Sequence, residues 1–128
     1  MGPGTRAQGG WRSPVVMSAL VGMWDVGAVA DFSSMFRDAV MFDNDGKSID
    51  GWDVSSAKYM DYMFSGASVF NRTIASWNVE AAITMAGMFQ SASDFDTAIG
   101  DWDVSGVTDM SFMFDGASSF NRDISGWD

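Results

Sequence analysis

The feature that most constrains this chain is a stretch that keeps recurring. Trp102–Gly126 reads WDVSGVTDMSFMFDGASSFNRDISG. Trp52–Ser76 (WDVSSAKYMDYMFSGASVFNRTIAS) and Trp77–Asp101 (WNVEAAITMAGMFQSASDFDTAIGD) repeat it in outline over 25 residues each. Trp24–Gly51 is a further copy with three extra residues near its end, and Trp127-Asp128 opens another. Self-similarity at a fixed period of this length marks units that stack on one another. Each unit is too short to bury an apolar face alone, so its neighbours must complete the core.

Numbered from its Trp, each repeat carries apolar residues at positions 1, 3, 6 or 7, 9, 12, 13, 16, 19 and 23. Positions 1 and 3 alternate around an Asp or Asn, the period of a strand with one buried face. Val107, Met110, Met113, Phe114 and Ala117 follow at steps of three and four, which predict one face of a short helix. Thr108 or Asp109 would cap its start, and Gly116, like Gly66 in the second repeat, would end it. The expected fold class is therefore α/β, a solenoid of about four strand–turn–helix coils, 24–51, 52–76, 77–101 and 102–126, with a fifth starting at 127. Residues 17–128 form the solenoid in this reading, and 1–16, Gly-rich and without apolar period, form a disordered leader. The 11 Met fall mostly at positions 9 and 12 beside a Phe, where they read as core filler.

Val15–Trp24 is apolar, follows Arg6 and Arg12, and precedes Ala28-Val29-Ala30, which together imitate a secretory signal peptide. Trp24, Met35-Phe36, Ala39 and Phe42 already stand in repeat register, which favours a structural role for this region. No apolar run approaches the ~18 residues of a membrane span, so no membrane insertion is expected.

The chain has no Cys and no His, which excludes disulfides, thiol nucleophiles, Cys/His zinc sites and a Ser-His-Asp triad. A net charge of −10 argues against nucleic acid as a partner. All acidic residues but Glu80 are Asp, the acid of turns and of short side-chain-to-backbone bonds.

Three groups of residues are candidates for chemistry. Position 2 faces away from the core and stacks into a row, Asp25, Asp53, Asn78, Asp103 and Asp128, so Asp53, Asn78 and Asp103 are candidate binding residues. Like charges directly opposed are destabilising, so the row either bonds local amides and hydroxyls or recruits cations or a basic partner. Asp43, Asp45 and Asp50 flank a Gly turn in the insertion and could ligate calcium, although no Glu stands where an EF-hand needs one. Asn71-Arg72-Thr73 is an N-glycosylation acceptor if the chain is secreted in a eukaryote. The alternative to a binding module is a hydrolase using a pair of Asp as acid and base, but no spacing selects a pair. No cofactor other than calcium is implied.

Ile49-Asp50-Gly51-Trp52-Asp53-Val54, Ile74–Val79 and Ile99–Val104 follow the L-x-x-L-x-L spacing of leucine-rich repeats. With Met-x-x-Met-Phe-x-x-Ala-x-x-Phe-Asn, the chain resembles the BspA-like leucine-rich-repeat surface proteins, in their tryptophan-containing branch of unknown function. The resemblance covers about residues 17–128. It implies a right-handed leucine-rich-repeat-like solenoid, secreted or on a cell surface, serving adhesion or protein or glycan binding, with no catalytic residues to carry over. The chain departs from the pattern at Phe32, in the insertion near Asp45, at Asp96, and in having no recognisable cap. A solenoid uncapped at its C-terminus would present an unpaired edge, through which self-association is expected.

Overall fold

The computed structural model describes residues 24–43 and 49–127. The leader 1–16, the apolar stretch up to Met23 with its signal-peptide reading, and Asp45 of the insertion lie outside the described residues. The four repeats form coils 1 to 4 of one stack: Trp24–Gly51, Trp52–Ser76, Trp77–Asp101 and Trp102–Gly126. Consecutive coils meet in parallel at position 8, through isolated bridges from Asp31 to Tyr59, Tyr59 to Thr84 and Thr84 to Asp109.

Among the described residues there is no helix, and extended pairing stops at those single bridges. This overturns the expectation of an α/β, right-handed leucine-rich-repeat-like solenoid built from strand–turn–helix coils. The physical reason lies at positions 11 and 15. Ser34, Tyr62, Gly87 and Phe112 have φ of 61°, 57°, 61° and 58°, and Asp38, Gly66, Ser91 and Gly116 have 59°, 73°, 58° and 76°. A left-handed residue at every fourth position interrupts any right-handed helical path. The segment is instead a chain of consecutive turns.

Its backbone hydrogen bonds alternate in direction. Met35, Arg37 and Ala39 donate back three residues to Phe32, Ser34 and Phe36, at 3.1–3.2 Å. The intervening Phe32, Ser34, Phe36 and Asp38 donate sideways to Tyr59, Asp61, Met63 and Ser65 of coil 2, at 2.7–2.9 Å. The same four sideways bonds join coil 2 to coil 3, from Met60, Tyr62, Phe64 and Gly66 to Thr84, Ala86, Met88 and Gln90. They recur from Met85, Gly87, Phe89 and Ser91 to Asp109, Ser111, Met113 and Asp115. Turning and stacking thus satisfy the buried amides that a helix or sheet would otherwise have paired. Four-residue turns return positions 9, 12, 13 and 16 to one side, so they mimic the helical period. Gly66 and Gly116 are members of the turn chain, not helix ends, and Asp109 accepts the Ser111 amide at 2.9 Å instead of capping a helix.

The core is three columns of rings. Trp52, Trp77 and Trp102 are 3–5% exposed and stack at 6.1 and 6.4 Å with planes 3° and 4° apart. Phe36, Phe64, Phe89 and Phe114 stack at 5.5, 5.7 and 5.9 Å. Phe42, Phe70, Phe95 and Phe120 stack at 5.7, 6.2 and 5.8 Å. Within each coil the two Phe lie face to face at 3.9–4.3 Å. Met35, Met60, Met63, Met85, Met88 and Met113 are buried beside them, filling the gaps between flat rings. Three of the indoles also find a polar partner. Trp77, Trp102 and Trp127 donate Nε1–H to the carbonyls of Ile49, Ile74 and Ile99, at 2.9, 3.1 and 3.1 Å. Each of those carbonyls also accepts the amide of the Trp three residues on, so both its lone pairs are used.

Candidate functional site

The stack fixes every surface residue in a column, so the candidate site is a set of rows running across the coils. In the position 2 row, Trp and Val on either side are buried, Trp24 only partly, while Asp25, Asp53, Asn78 and Asp103 are exposed. The outward orientation follows from the alternation, but no strand forms there. Each side chain accepts the amide two residues on: Gly27 at 3.2 Å, Ser55 at 3.0 Å, Glu80 at 3.1 Å and Ser105 at 3.1 Å. These are side-chain turns that start the bend from position 3 to position 6. The Ser55 and Ser105 hydroxyls donate to the same Asp oxygens.

Those bonds have an electrostatic consequence. Hydrogen bonds from the Ser55 side chain and amide hold the Asp53 carboxyl below the usual carboxylate range. Ser105 does the same to Asp103, Ser111 to Asp109 and Ser125 to Asp123. A general acid for glycoside cleavage needs its carboxyl moved the other way. These four groups are fixed negative charges at neutral pH.

The calcium candidates divide. Asp43 forms a two-pronged ion pair with Arg72, Nε to Oδ1 at 3.0 Å and Nη2 to Oδ2 at 2.6 Å. Asp50 accepts the Ser76 amide at 2.9 Å. Asp45 is outside the described residues, and among those described no three acidic side chains gather as metal ligands would.

Asn71 belongs to a ladder that the sequence pattern did not reveal. Position 20 reads Asp43, Asn71, Asp96, Asn121, and each side chain accepts the amide of the next member, at 3.4, 2.9 and 3.0 Å. Position 21 completes the pairing. Arg72 and Arg122 follow Asn and reach back to Asp43 and Asp96, the second at 3.1 Å. Thr97 follows Asp and bonds Asn71 Oδ1 at 3.2 Å. The Asp at position 96 is therefore the partner that Arg122 requires. The Asn71 side chain is exposed, but its carbonyl oxygen is committed to coil 3. The signal that could have found the ladder is the coupled change of positions 20 and 21 from repeat to repeat.

Three other surface features were not singled out from the sequence. Val40, Met41 and Val69 are exposed at positions 17 and 18 of coils 1 and 2, where coils 3 and 4 carry Ser93-Asp94 and Ser118-Ser119. Phe112 is 64% exposed on coil 4. A shallow cleft of about 590 Å³ runs past small residues Ala98, Gly100 and Gly126, with Arg122 among its walls. No helix among the described residues is long and apolar enough to cross a membrane.

Residues 44–128 match the model of a protein family described as Mycoplasma protein of unknown function, DUF285, and the chain belongs to that family. No curated protein and no solved structure matches the chain.

Proposed function

We propose that this member of the DUF285 family is a non-catalytic binding module, secreted or held on a cell surface, that attaches to a protein or glycan. The observation that supports it is the apolar corner formed by Val40 (52% exposed), Met41 (67%) and Val69 (38%). The chain places Ser or Asp at the same positions in coils 3 and 4, so the fold does not need apolar residues there. Adjacent exposed apolar side chains on an otherwise acidic surface suit contact with a partner that buries them. Aliphatic side chains without a ring to stack on a sugar favour a protein over a glycan. The carboxylates of Asp53 and Asp103 in the position 2 row favour a partner with basic residues. The resemblance to BspA-like surface proteins supports display outside the cell.

The test is a binding panel of extracellular-matrix proteins and a glycan array, probed with the folded chain and with a Val40→Ser/Met41→Asp/Val69→Asp variant. These substitutions copy Ser93 and Asp94, so the melting temperature should stay put. The expected outcome is a protein ligand whose affinity falls at least about tenfold in the variant. Equal binding by both chains would move the site elsewhere, and cleavage of an arrayed glycan would restore the hydrolase reading.

A further inference from the structure

We propose that Met41 is an oxidation site: a peroxide converts its thioether to a sulfoxide and so turns the apolar corner of coils 1 and 2 polar. Met41 is 67% exposed. Met35, Met60, Met63, Met85 and Met88 are fully buried, Met113 is 3% exposed, and Met110 is partly buried against the core. The reactivity of a thioether towards oxidants follows its exposure, so among the described residues the reaction falls first on Met41. With no Cys in the chain, no thiol competes for the oxidant. Val40 and Val69, its neighbours in the corner, carry no sulfur to oxidise.

Met41 also stands apart in the repeat. The other described methionines occupy positions 9 and 12, where Met fills gaps between the ring columns. Met41 occupies position 18, where coils 2, 3 and 4 carry Val69, Asp94 and Ser119. The fold thus accepts a carboxylate or a hydroxyl at that place, and a sulfoxide asks no more of it. Among the stacked rings the same group would leave a polar oxygen without a partner and loosen the core. At Met41 that oxygen meets water. Oxidation there changes the surface and spares the stack.

The Met41 Sδ lone pair attacks one oxygen of hydrogen peroxide. The S–O bond forms as the O–O bond breaks, and the second oxygen leaves as water with both protons. Sulfur loses two electrons and the peroxide gains them. Methionine sulfoxide reductases restore the thioether with two thiol equivalents, which end as a disulfide while the oxygen leaves as water. The consequence for binding rests on the corner being the contact surface proposed above. A partner covering the sulfoxide must strip water from a dipole that the thioether lacked.

The test treats the full chain with dilute hydrogen peroxide and maps sulfoxide by peptide mass spectrometry. Met41 should oxidise at least about tenfold faster than Met35, Met60, Met63, Met85 and Met88, with no change in melting temperature. A pair of methionine sulfoxide reductases, one for each epimer, should reverse it. Immobilised fibronectin and collagen are the binding probes, with Val40→Ser/Met41→Asp/Val69→Asp beside the parent. Peroxide should weaken the parent at least about fivefold and leave Met41→Leu at whatever affinity it had before treatment. That variant keeps Met1, Met17 and Met23, which lie outside the described residues. Buried methionines oxidised as fast as Met41, unfolding on oxidation of Met41, or equal weakening of Met41→Leu would overturn the proposal. An oxidised parent that binds as before, while the triple variant has lost binding, would overturn it and leave the corner standing as the binding surface. Untreated parent and triple variant that bind alike would remove the corner reading and this control with it.

Discussion

At positions 11 and 15 the left-handed backbone conformation is supplied by Gly in some coils and by strained residues in others. Gly66, Gly87 and Gly116 adopt it without a Cβ penalty, whereas Ser34, Asp38, Tyr62, Ser91 and Phe112 do not have that freedom. Tyr62 is compensated: the Arg37 guanidinium sits 4.8 Å above its ring, and Gly87 lies beneath. Phe112, mostly exposed, has little packing to set against its strain. Phe112→Gly should therefore stabilise the chain by about 0.5–1 kcal/mol, strain relief outweighing the added freedom of the unfolded chain. Gly66→Ala should cost about 1–2 kcal/mol, since its new Cβ takes an unfavourable φ of 73° and meets Asp38. Urea midpoints of the two variants check both. A destabilised Phe112→Gly would mean that the exposed ring contributes more than its conformation costs.

The coil as an element explains what the sequence told and what it hid. The burial of Trp52, Trp77 and Trp102 on one side and the exposure of Asp53 between Trp52 and Val54 were legible, because alternation depends only on which side chains avoid water. The helix was not, because Met110, Met113, Phe114 and Ala117 have the same spacing on a run of turns as on a helix. Gly87 inside the supposed helix was the warning, since Gly weakens a helix interior. The position 2 row was identified, and bonding to local amides and hydroxyls was one of its two readings; the turn that makes those bonds is what periodicity does not encode. The Asn71–Asp96–Asn121 ladder was hidden because it joins residues a whole coil apart. The Trp column gives this scale its test. Trp77→Ala removes a buried ring from between Trp52 and Trp102 and should cost about 3–5 kcal/mol. Trp77→Phe keeps a ring in the column and loses the bond to Ile49 O. That carbonyl still accepts the Trp52 amide at 3.0 Å, so no acceptor is orphaned and the cost should be about 1–2 kcal/mol. Equal losses by urea denaturation would show that the hydrogen bond, and not the ring stack, holds the column.

For the whole molecule, charge sets two opposing dependences on pH. A net charge of −10 makes the folded chain repel itself, and protonating carboxylates relieves that repulsion. Against this stand Asp53, Asp103, Asp109 and Asp123, whose folded pKa values lie below the ordinary one through their serine bonds. A depressed carboxylate pKa contributes stability that is fully present above the unfolded value of about 4 and is lost as pH falls through the folded value. The specific bonds organise the backbone of every coil, while the repulsion is spread over the surface and screened by salt, so the bonds should win. With no His in the chain, no side chain of ordinary pKa titrates between about 5.5 and 8. The melting temperature should accordingly be level across that window at physiological salt and fall below about pH 4. Thermal melts followed by Trp fluorescence from pH 8 to 2.5 measure it directly. A melting temperature that climbs on acidification to pH 3 would show that self-repulsion, and not the loss of the aspartate turns, governs the acid limb.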